Sequence, residues 1–127
     1  MGKRPALAKS ELELARIVWE MGEATVRQVY EALPAERKLD FWTVQTYLRR
    51  LKAKGYLKTR RRGRSNVYSQ RARPAQVVRD LVDDFINRLY DGETLPLFQQ
   101  LIHDRGLSDE EIAELQKMLN QLKERKK

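Results

Sequence analysis

Cysteine is absent from the 127 residues. Its absence excludes disulfides and thiolate metal sites and gives no sign of an oxidising compartment. Histidine occurs once, at His103, beside Asp104, and that single imidazole reads as half of a surface pair, not as a metal ligand. With neither a cysteine nucleophile nor a glycine-rich phosphate loop, nothing points to an enzyme, and no cofactor is expected. No apolar run approaches the roughly 20 residues that a bilayer span requires. Met1 to Ala8 lacks the apolar segment of a secretory leader, so a cytoplasmic chain is the default expectation. The most informative gap is one of acid. Between Phe41 and Arg79 there is no Asp or Glu, while the same stretch carries 12 Lys and Arg. The flanking segments are neutral or net acidic, so the net charge of +8 is concentrated in one block suited to a polyanion.

What is present is mostly helical patterning. Ser10 and Glu13 read as a capping box ahead of an apolar stripe of Leu12, Leu14, Ala15, Val18 and Trp19, ended by Gly22. Glu23 and Ala24 read as a short link. Thr25 and Gln28 form a second box before Val26, Val29, Tyr30 and Leu33, and Pro34 stops that helix. After a polar connection, Asp40 caps a third helix with Thr43 at its N3 position. Gly55 suits its C-terminal stop. The spacing then shortens: Tyr56 to Arg61 and Asn66 to Gln70 read as two strands of a hairpin, with Arg62 to Ser65 as the turn. Beyond Pro74 the helical period returns, in Val78, Leu81, Val82, Phe85, Ile86 and Leu89. Asp91 and Gly92 break it, and a short helix follows over Thr94 to His103. A last capping box, Ser108 and Glu111, opens a seam of Ile112, Leu115, Leu119 and Leu122 with coiled-coil-like spacing. Lys123 to Lys127 read as a charged, frayed tail.

Three helices followed by a hairpin make a winged helix-turn-helix, whose third helix enters the major groove of DNA. The fold class expected is therefore mainly α with a small β-hairpin wing, plus a C-terminal helical dimerisation region. The division expected is residues 1–73 for the winged-helix DNA-binding domain and 74–127 for the dimerisation domain. At about 100° per residue, Val44, Leu48 and Leu51 fall on one side of the third helix and face the core. Thr43, Thr46, Tyr47, Arg50 and Lys54 fall on the other. Arg50 suits a paired contact to guanine, and the two threonines suit base edges, thymine methyls or phosphates. Tyr47 fits either DNA contact or packing at the core edge. Trp42 fits either a sugar-phosphate edge or a shield over the helix start. In the hairpin, alternation sends Arg60 and Arg62 to one face and Arg61 to the other; with Arg64 they make a basic wing for backbone or minor-groove contact. The late helices lack a partner within a domain this small. A second copy of the chain, joined through Val78, Leu81, Val82, Phe85, Ile86, Leu89, Ile112, Leu115, Leu119 and Leu122, would present two recognition helices to a pseudo-palindromic site on double-stranded DNA. The competing readings are a winged helix that binds DNA without sequence preference, an RNA-binding one, and a basic protein-interaction adaptor.

Taken in order, several segments resemble the penicillinase and methicillin-resistance repressor family (BlaI/MecI-like regulators). They are Ser10-Glu11-Leu12-Glu13 with Val18-Trp19; Trp42 to Leu51 followed by Lys54-Gly55-Tyr56-Leu57; Gly63-Arg64 with Val67-Tyr68-Ser69; and Leu107 to Ile112. The resemblance covers nearly the whole chain. It implies a homodimeric repressor on a palindromic promoter operator, with Thr43, Thr46 and Arg50 at positions that face the major groove. It also implies release through a membrane sensor protease pathway, by cleavage at an Asn-Phe pair ahead of the last helix. The corresponding residues here are Gln100-Leu101, so the usual cleavage pair is not present. Copper-responsive relatives use a C-terminal cysteine cluster, which this chain lacks.

Overall fold

The computed structural model describes residues 4–126. Met1 to Lys3 and Lys127 lie outside the described residues, and with them the start of the stretch read for a leader and the end of the charged tail. Contact density divides the chain between Arg79 and Asp80 into two compact units. The break falls inside a helix that begins at Pro74.

The first unit contains α1 (Lys9–Met21), β1 (Glu23–Thr25), α2 (Val26–Ala32), α3 (Phe41–Ala53), β2 (Leu57–Arg62), β3 (Ser65–Gln70) and the opening turns of α4 (Pro74–Tyr90). Its core is built from the periodicities read above: Leu14, Ala15 and Val18 of α1, Val29 of α2, and Val44, Leu48 and Leu51 of α3 are buried, together with Leu57, Val67 and Tyr68 of the strands. Three local features differ from the sequence reading. Helix α1 starts two residues earlier than the Ser10 and Glu13 box implies, because Glu11 reaches back to the Ala8 N–H at 2.8 Å. Ser10 and Glu13 instead both accept from Arg37, at 2.7 Å each, which ties the α2–α3 connection to α1. The expected link at Glu23 and Ala24 is a strand, β1, pairing antiparallel with β3 in the order β1-β3-β2. Third, Arg62 and Ser65 are paired strand residues, which shortens the hairpin turn to Gly63 and Arg64. The turn needs a left-handed residue, and Gly63 supplies it at φ 61°.

The box at Thr25 and the cap at Asp40 form as read. Thr25 and Gln28 bond reciprocally, at 3.2 and 2.9 Å, and Asp40 accepts the Thr43 N–H at 2.7 Å. Helix α3 ends in a Schellman motif: Gly55, at φ 89°, donates to Lys52 O, and Tyr56 donates to Leu51 O. That turn aims the chain directly from α3 into β2.

The second unit contains the rest of α4, α5 (Leu95–Arg105) and α6 (Asp109–Arg125). Ser108 and Glu111 form the expected box, at 2.9 and 3.1 Å. The expected fraying from Lys123 is not seen before Arg125, since Lys123 and Arg125 are cations in the last turn of α6, where the helix dipole favours them. Neither α5 nor α6 has a buried residue. Among the described residues, no helix is long and apolar enough to cross a membrane.

Candidate nucleic-acid interface

The site grows out of α3. Burial of Val44, Leu48 and Leu51 fixes the helix rotation, and that rotation leaves Thr46, Arg49 and Arg50 exposed and Thr43 and Tyr47 half-buried. Thr43 is held at the helix start, where its backbone N–H and its hydroxyl both bond Asp40 and keep that carboxyl below its ordinary pKa. Arg50 lies over the Tyr47 ring, its guanidinium carbon 5.5 Å from the centroid. Tyr47 is thus both a core-edge residue and a platform that orients Arg50. Trp42 is 74% exposed at the entrance of the helix, so it does not act as a shield packed over the start. Beside it, Arg27 of α2 stacks over Phe41 at 5.0 Å, adding an exposed cation that the sequence reading did not single out.

Lys54 does not join this face. Its ammonium donates to Glu11 Oε1 at 2.6 Å and to Ala6 O at 2.8 Å. Glu11 is only 1% exposed, so this is a largely buried ion pair clamping the end of α3 to the start of α1. The N-terminal arm continues that clamp: the Tyr56 hydroxyl donates to Pro5 O at 2.6 Å, and Arg4 lies over the Tyr56 ring. No local pattern reveals these contacts, because each joins residues more than 40 positions apart.

The wing presents Lys58, Arg60, Arg61, Arg62 and Arg64, all exposed. The expected alternation holds. Arg61 shares a sheet face with Thr59, Tyr68 and Ala24, and Arg60 and Arg62 share the other with Lys58 and Glu23. Among the described residues, Arg61 and Arg64 have no carboxylate partner, whereas Arg60 and Arg62 both bond Glu23. Those two arginines, Arg60 first, hold the Glu23 carboxyl below its ordinary pKa. Arg49 of α3 is close enough to Tyr68 of β3 to act on its phenol electrostatically, although burial dominates and raises that pKa. The exposed faces of α3 and of the wing therefore carry many cations, with Glu23 of β1 beside the wing and the capping Asp40 at the start of α3 as the nearby carboxylates. No group of His, Asp and Glu suited to a metal ion occurs among the described residues.

Known proteins share the sequence and the fold of this chain. The profile of the penicillinase repressor family matches residues 7–121. The penicillinase repressor of Bacillus licheniformis is 31% identical over 127 residues, spanning all of this chain and 99% of that one. The methicillin resistance regulatory protein MecI of Staphylococcus aureus strain N315 is 24% identical over 114 residues, covering 90% of this chain and 93% of that protein. The solution structure of the DNA-binding domain of the repressor BlaI superposes with a TM-score of 0.52 at 29% identity, covering 59% of this chain and 92% of that one. Monomeric Bacillus licheniformis BlaI in complex with the blaP half-operator gives 0.50, with the same identity and coverage. This chain belongs to the penicillinase repressor family.

Proposed function

We propose that this member of the penicillinase repressor family is a cytoplasmic, homodimeric transcriptional repressor that binds a palindromic operator. Helix α3 enters the major groove with Thr43, Thr46, Tyr47 and Arg50, and Trp42 lies at the groove edge. Arg61 and Arg64 of the wing follow the phosphate backbone, with Arg60 and Arg62 behind them. The observation that carries this reading is the exposed face of α3, which has no carboxylate and holds an oriented arginine, opposite a face that is fully buried.

Dimerisation is supported by the second unit. Val82, Phe85 and Leu89 of α4 and Ile112, Leu119 and Leu122 of α6 are exposed apolar side chains on periodic faces. A monomer that kept them in water would forgo roughly 25 cal/mol for each Å² left unburied. A second copy of the chain satisfies both faces and sets two α3 helices on one side of the DNA. The sensor-protease route stays outside this reading. The matching pair, Gln100-Leu101, lies within helix α5 and is not Asn-Phe.

Selection of bound fragments from genomic DNA tests the proposal. A palindromic consensus, recovered by the full chain and lost with Arg50→Ala, is expected. Unselected fragments would remove sequence specificity and leave a winged helix that binds DNA indiscriminately.

A further inference from the structure

The five wing cations are not equivalent, and one carboxylate separates them. Glu23 of β1 stands opposite Ser69 of β3, and Ser69 stands opposite Lys58 of β2. Residues paired across a sheet share a face, as do residues two apart on a strand. Glu23, Lys58, Arg60 and Arg62 are therefore on one face. There Arg60 Nη2 donates to both Glu23 oxygens, at 3.0 and 2.9 Å, and Arg62 Nη2 donates to Glu23 Oε1 at 2.5 Å. A carboxylate presents to a guanidinium the same fork of acceptors that a phosphate presents. One amino group of each of Arg60 and Arg62 is thus already engaged in the free protein, and the charge of Glu23 offsets part of what they would offer a DNA backbone.

We propose that Glu23 is an internal competitor of DNA phosphate, which engages Arg60 and Arg62 and so attenuates the affinity of the wing for the backbone. The proposal rests on the reading above, in which the wing meets DNA. All three side chains are at least two-fifths exposed, so the clamp is a weak surface pair that the dense charge of a duplex displaces. Its consequence is a graded loss of affinity, not a block. The Glu23 clamp leaves Lys58, Arg61 and Arg64 as the wing cations that meet DNA first.

Glu23→Gln keeps the shape of the side chain and removes its charge. The full chain is titrated with a mixed-sequence DNA duplex across a range of salt. Glu23→Gln is expected to bind several-fold more tightly and to steepen the slope of log K against log salt, by up to about 0.9 for each arginine released. In an Arg60→Ala/Arg62→Ala background the same change is expected to alter neither quantity. Unchanged or weaker binding by Glu23→Gln would overturn the proposal, as would an equal gain in the double-alanine background, which would mark a long-range field instead of a clamp. A second comparison does not depend on Glu23 variants. Arg60→Ala/Arg62→Ala is expected to lose less affinity than Arg61→Ala/Arg64→Ala, and an equal or greater loss contradicts the clamp. No duplex binding by the wild-type chain would instead remove the DNA-binding reading. Binding that Arg61→Ala weakens and Glu23→Gln leaves alone removes only the role of Glu23.

Discussion

Arginine and lysine side chains that look alike in the sequence divide into three kinds in the fold. Lys54 is spent on structure. It neutralises Glu11, which is almost wholly buried. Breaking a buried pair leaves a charge stranded in low dielectric. Lys54→Met is therefore expected to lower the unfolding free energy by about 3 kcal/mol, the lower end for such pairs because a quarter of Lys54 stays exposed. Chemical denaturation measures it, and adding Glu11→Leu is expected to restore part of the loss, since it removes the stranded charge but also the acceptor of the Ala8 N–H. Arg50 is held over Tyr47 and, in the proposed function, belongs to reading. Arg61 has no carboxylate partner among the described residues and, in the proposed function, belongs to grip. Arg61→Ala is expected to weaken binding equally on all sequences and to lower the salt slope by about one. A change confined to one sequence would contradict that role.

At the scale of elements, the helices were legible because each is written in short-range signals. The boxes at Thr25 and Ser108 and the cap at Asp40 join residues three positions apart, and the apolar stripes repeat every three or four. The reading face of α3 followed from the same spacing, since burying Val44, Leu48 and Leu51 leaves only one rotation. What escaped was non-local. Strand β1 has three residues, too few for their polar-apolar-polar alternation to mark a strand; it exists because β3 offers it an edge. The Glu23 clamp and the Lys54–Glu11 pair likewise depend on chain crossings that no periodicity encodes. Ser10 and Glu13 form a valid box on paper, but Arg37 outcompetes the backbone for both side chains.

The cap of the recognition helix also carries a pH dependence. Hydrogen bonds from Thr43 lower the Asp40 pKa in the folded state. Its contribution is then present above the unfolded value, about 4, and is lost as pH falls through the lower folded value. Asp40→Asn keeps a good cap without a titrating group. Its unfolding free energy is expected to fall less steeply below about pH 4 than that of the wild type. Parallel curves would show that the Asp40 carboxylate is not what stabilises the cap.

As a whole, the molecule has a well-buried unit that carries the cations and a second unit whose helices expose their apolar faces. Leu119 is 60% exposed, so its replacement removes little from a single chain. Leu119→Asp is expected to shift sedimentation from dimer to monomer without changing helix content. It should weaken binding to a two-half-site duplex far more than to a half-site. A wild-type chain that sediments as a monomer at all accessible concentrations would contradict the dimer.

The central claim is that α3 reads sequence, and the most direct measurement is a ratio. The affinity of the full chain for its selected fragment is divided by its affinity for a mixed-sequence duplex at the same salt. A ratio of roughly 10³ or more is expected, as for specific regulators, falling by about tenfold or more with Arg50→Ala as one paired base contact is lost. A wild-type ratio near one would contradict it.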